Sequence, residues 1–142
     1  MNLKQIIMLL ILVVLNGCTK PVIPISDTLE IGLGKRYSEY VTLLNKAADK
    51  DNKALVQLLT FKNIEDGAGY DHGWVLIELI KKVGDEEFSI ALLKLNNEEL
   101  ERVRSYFNAG YDVYKNTDNL PKEYPLTFKV LGYSNTGGVP FR

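Results

Sequence analysis

The 142-residue chain has one cysteine, Cys18, and one histidine, His72. A single thiol excludes any intrachain disulfide, so stability has to come from packing. One cysteine and one histidine fall short of the three or four ligands of a tetrahedral zinc site, and no metal or cofactor is expected. Basic charge is not in excess either: 17 Lys and Arg face 18 Asp and Glu, for a formal net charge of −1, and no Lys/Arg cluster stands out. Phosphate backbones need concentrated positive charge, so nucleic-acid binding is disfavoured. The glycines at "GLGK", residues 32–35, lack the remaining glycines and the Ser/Thr of a phosphate loop. No serine stands in a G-x-S-x-G context. Beyond residue 15 no apolar run approaches the roughly 20 residues of a spanning helix.

What is present begins at the amino end. Residues 1–5 carry one charge, Lys4, and residues 6–15, "IIMLLILVVL", are wholly apolar. That run is about half a membrane span. A charged start, a short apolar core and small residues at its end are the layout of a secretory signal peptide, which is left out of the fold.

The following "LNGC", Leu15-Asn16-Gly17-Cys18, resembles a bacterial lipobox, with Asn16 departing from the usual Ala or Ser. The resemblance implies removal of residues 1–17, diacylation of the Cys18 sulfur, and Cys18 as the new amino terminus. The plainer alternative is a secreted protein with a free Cys18, an awkward odd thiol. Acyl burial contributes about 0.8 kcal/mol per methylene, so two or three chains anchor the protein where one holds only marginally. Within that family of signals, Thr19 in place of Asp favours the outer membrane if the organism is diderm.

Residues 18–35 read as a tether to the lipid, because Pro21, Pro24 and two glycines disfavour regular structure. The apolar Val22, Ile23 and Ile25 would let part of it lie against the domain. Residues 36–142 form one domain. Tyr37, Tyr40, Val41, Leu44, Ala47 and Ala48 recur at helical spacing. Asp51 is placed to cap a second helix carrying Leu55, Leu58 and Leu59. "NIEDGAGY", residues 63–70, reads as a loop. A third helix should start at an Asp71 cap and stop at Gly84, and its nearly all-round apolar surface predicts a central position. Asp85 is expected to cap a fourth helix, and Asn96 with Glu99 a fifth, ending at Gly110. From about residue 111 the prolines predict an extended tail, in which "LTFKVL" could be a short strand. "AGYD" occurs at residues 68–71 and 109–112, but the flanks do not align, so the likeness reads as shared turn chemistry. The expected fold is all-α: about five antiparallel helices in a compact bundle or a short α-solenoid, both open at this point.

Few residues carry the pattern of a chemical site. Asp71, His72 and Glu78 are the one combination from which a hydrolase could be built. The plainer reading makes Asp71 a cap and His72 a first-turn residue. Tyr70, Tyr111, Tyr114 and Tyr124 sit in or near loops and the tail, and tyrosine is enriched at protein interfaces. The expectation is a membrane-anchored lipoprotein of the bacterial envelope, acting as a non-catalytic module for an envelope or secreted protein. By size and location that includes immunity-type inhibitors of a toxin acting in the periplasm. An assembly accessory of an envelope machine is the alternative, and the Asp71/His72/Glu78 hydrolase the third reading.

Overall fold

The computed structural model describes residues 19–113 and 119–133. Cys18, Tyr114 and the tail from residue 134 lie outside the described residues. Among the described residues the chain is α-helical with no strand. Helix α1 spans Asp27–Leu33 and runs through a 3-10 turn, Gly34–Arg36, into α2, Tyr37–Ala48. Then come α3 (Asn52–Leu59), α4 (Asp66–Val83), α5 (Asp85–Leu92), α6 (Asn97–Val113), α7 (Leu120–Glu123) and α8 (Pro125–Val130). None of the described helices is long and apolar enough to cross a membrane.

The helical periodicity of the sequence becomes the core. α2 buries Tyr40, Val41, Leu44 and Ala47, and α3 buries Ala54, Leu55, Leu58 and Leu59. Lys50 turns the chain between them at φ 65°. The Asp51 carboxylate then accepts from Ala54 N at 3.0 Å, the cap expected of it. α4 is central. It buries Val75, Leu76, Ile77, Leu79, Ile80 and Val83 and packs against α1, α2, α5 and α6, most broadly against α6. A helix surrounded in this way belongs to a bundle; a solenoid stacks each helix pair on its neighbours alone. Trp74, by contrast, is only half-buried at the edge of this core. Asn96 and Glu99 form the reciprocal capping box, with Glu99 N donating to Asn96 Oδ1 at 2.9 Å and Asn96 N to Glu99 Oε2 at 3.0 Å.

The structure departs from the sequence reading in five places, and each has a physical reason. Within the tether, Asp27–Leu33 is helical because Ser26 caps it, its hydroxyl accepting from Leu29 N at 3.1 Å, while Leu29 and Leu33 are buried. α4 begins at Asp66, so Asp71 is not its cap and residues 66–70 are not loop. This first turn packs closely on α1: a Cβ at Gly67 would stand 3.3 Å from the Thr28 methyl, and a Cβ at Gly32 of α1 would stand 2.6 Å from the Ala68 methyl. Gly110 lies inside α6 and does not end it, because it meets Gly73 backbone to backbone.

The segment read as extended holds α7 and α8, so "LTFKVL" is helix and not strand. Its Pro121 and Pro125 occupy first-turn positions, where a missing N–H costs no helical hydrogen bond. Finally, Asp85 does not cap its own helix, whose cap position is Gly84. Its carboxylate instead accepts from Leu126 N and Thr127 N, both at 2.8 Å, and so caps α8 from across the bundle. Asp85→Ala should therefore cost about 2 kcal/mol, within the range for a lost charged cap. A urea titration checks it. A loss below a few tenths of a kcal/mol would mean that α8 holds its place without Asp85.

Candidate functional site

Aromatic rings organise the interior. One run starts at the surface, where the Arg36 guanidinium lies 3.9 Å over the Phe61 ring. It continues inward from Phe61 to Tyr40 (5.2 Å between centroids), to His72 (5.6 Å) and to Tyr106 (4.7 Å), each pair edge-on. A second run joins Phe88, Phe107 and Phe128, and Tyr111 and Tyr133 both pack on Phe128 at 6.3 and 5.1 Å.

His72 is the one buried imidazole, and it is fully enclosed. Its Nδ1 lies 2.7 Å from the Tyr40 hydroxyl. Burial pushes the Tyr40 phenol far above its ordinary range, so it keeps its proton. Burial lowers His72 to about 3, so the ring is neutral near pH 7. Tyr40 Oη and His72 Nδ1 therefore share one hydrogen bond between two neutral groups, its direction set by the ring tautomer. Among the described residues Nε2 has no hydrogen-bond partner. Tyr106 closes the pocket and donates its own hydroxyl to Ile64 O at 3.1 Å.

This geometry does not assemble the three-residue combination read from the sequence. His72 sits in the second turn of α4, inside the core and not at an exposed first turn. Asp71 accepts from the Ser26 hydroxyl, which ties α1 to α4. Glu78 faces outward in an ion pair with Lys81 at 2.6 Å. The three side chains point to three different partners. Two open depressions lie elsewhere: one of about 420 Å³ beside Arg36, Glu39, Gln57 and Phe61, the other of about 340 Å³ beside Glu101, Arg104 and Asn108. No group of three His, Cys, Asp or Glu that could hold a metal ion occurs among the described residues.

The three described candidate interface tyrosines separate. Tyr70 is 47% exposed on α4. Tyr111 is half-buried, its ring against Phe128. Tyr124, between α7 and α8, is half-buried too, and burial, reinforced by Glu123, raises its phenol above the ordinary value. Tyr111 and Tyr124 thus help seat the last helices, and Tyr70 alone of the three described presents a broad free surface.

One polar contact was invisible in the sequence. The Asn45 amide, on α2, clamps the backbone of the tether: Val22 N donates to Oδ1 at 2.8 Å and Nδ2 donates to Lys20 O at 3.0 Å. Ile23, just beyond, is buried in the core. The apolar Val22, Ile23 and Ile25 indicate that part of the tether could lie on the domain, and nothing in the sequence points to Asn45.

Comparison with protein-family models, with curated proteins and with solved structures finds no match to this chain.

Proposed function

We propose that the chain is a lipoprotein of the bacterial envelope, anchored through acylated Cys18, whose helical bundle is a non-catalytic binding module for an envelope or secreted protein. The observation that carries this is "LNGC" directly after the apolar run of residues 6–15. The scattering of Asp71, His72 and Glu78 over three separate partners favours binding over hydrolysis. An immunity-type role against a periplasm-acting toxin fits the size and the location, and Tyr70 is the described aromatic best exposed for such a contact.

Cys18→Ser should abolish incorporation of labelled palmitate and move the protein out of the membrane fraction. Undiminished labelling would overturn the anchor. In crosslinked envelope extract, Tyr70→Ala should weaken capture of a specific partner while the thermal midpoint stays near that of the wild type. Loss of function in His72→Gln with folding and capture intact would turn the reading toward an enzyme.

A further inference from the structure

We propose that the domain does not swing on a flexible leash but is held directly against the phospholipid surface, with the Asn45 side of α2 facing the lipid. This rests on the lipid-anchor reading above. A free tether of residues 18–34 could span about 50 Å if fully extended. The structure removes nearly all of that slack. Asn45 holds the chain at Lys20 and Val22, Ile23 is sunk in the core, and Ser26 both caps α1 and bonds Asp71 of α4. Between the acylated residue and the first clamped carbonyl stands Thr19 alone. Two residues reach at most about 7 Å. With its acyl chains in the bilayer, Cys18 therefore brings the clamp to within a headgroup layer of the lipid.

The surface around the clamp suits that neighbour. Lys20, Lys46 and Lys50 are exposed about this end of α2, against the exposed Asp49 and Asp51, and Val22 is 44% exposed. Ammonium groups next to a small apolar side chain match phosphate headgroups over acyl chains. The face is not polybasic, and the acyl chains supply the hold; the clamp sets the orientation. The opposite end is also defined. α8 packs on α5 and α7 and makes no broad contact with α1 or α2. From α2 the path of packed helices runs through α3 and α5 to α8. Three helix contacts thus stand between α2 and α8, a path of at most about 30 Å at roughly 8–10 Å per contact.

The test uses the full acylated chain. Cys18 is the one cysteine and acylation consumes it, so an introduced cysteine is the sole free thiol. Lys46→Cys and Lys129→Cys, both at exposed positions, are labelled with a fluorophore. Each is reconstituted in phosphatidylethanolamine/phosphatidylglycerol vesicles containing a lipid with a nitroxide on its headgroup. Quenching at position 46 should exceed that at position 129 several-fold. Inserting about a dozen Gly and Ser residues between Thr19 and Lys20 adds roughly 20 Å of slack without touching the fold, and should erase most of the difference. Equal quenching at both positions in vesicle-bound protein overturns the proposal and leaves the anchor standing. So does a difference that survives the insertion, since the clamp then does not set the orientation. Protein that fails to float with the vesicles overturns the anchor, and this orientation with it.

Discussion

Gly73→Ala should destabilise the domain by about 3 kcal/mol or more, the upper end of what overpacking costs. A Cβ at Gly73 would stand 1.9 Å from the Tyr106 carbonyl oxygen and 2.9 Å from Gly110 N. Its counterpart at Gly110 would stand 2.6 Å from the Gly73 carbonyl carbon. The obstructing atoms are helix backbone on both sides, which cannot rotate away as a side chain can. The two helices would have to separate, and this is the broadest helix contact in the fold. Separation would open the seam where Tyr106 of α6 packs on His72 of α4. Helix propensity alone gives the opposite sign, because alanine favours a helix interior by about 1 kcal/mol over glycine. Gly69→Ala on the same helix isolates that term. Its added methyl meets the Tyr106 ring at an ordinary 3.6 Å, and the change should be neutral or stabilising by up to about 1 kcal/mol. Urea titrations of both variants check the pair. A Gly73→Ala protein within about 0.5 kcal/mol of wild type would show that α4 and α6 do not cross this closely.

The same glycines explain where the sequence was legible and where it was not. Apolar spacing located five helices, and local chemistry located the Asp51 cap and the Asn96–Glu99 box, because those signals lie within a few residues of their effects. A glycine carries two opposite meanings, a break in the chain or a place for another helix to touch, and only the neighbour decides between them. Gly67, Gly69 and Gly110 read as breaks and lie within helices. Proline misled in the same way at Pro121 and Pro125, which start helices. Asp85 and Asn45 could not have been assigned from sequence, since each acts on backbone more than 20 positions away. The candidate site divides similarly. Cys18 is marked by a local pattern. Of the tyrosines, spacing could not tell the exposed Tyr70 from Tyr111 packed on Phe128. The burial of His72 followed from the earlier start of α4, so it was lost along with that helix start.

That burial should make the domain acid-labile. His72 in the fold titrates at about 3 against an ordinary 6.5, so the unfolded chain takes up the proton first. Above pH 6.5 both states are neutral and the ring contributes no pH dependence. As pH falls below 6.5, the unfolded state gains about 1.4 kcal/mol per unit, until the folded ring itself protonates near pH 3. The whole window amounts to roughly 5 kcal/mol, a large part of the stability of a domain of this size. Among the described residues no carboxylate is hydrogen-bonded to the ring: its partner from α2 is Tyr40 and its neighbour from α6 is Tyr106, both phenols held protonated by burial. Glu65 and Arg102 are felt at Tyr106, one stage removed. His72→Leu alone would strand the Tyr40 hydroxyl and cost about 1–3 kcal/mol. The double variant Tyr40→Phe/His72→Leu removes donor and acceptor together and leaves the Phe61 contact available to the ring at position 40. Unfolding free energies from urea titrations between about pH 7 and 5, above the range where most carboxylates titrate, separate the cases. The wild type should lose stability as the medium acidifies, with a slope approaching 1.4 kcal/mol per unit, and the double variant should be nearly flat. An equal slope in both would place the acid sensitivity elsewhere and show that His72 is not held neutral in the core.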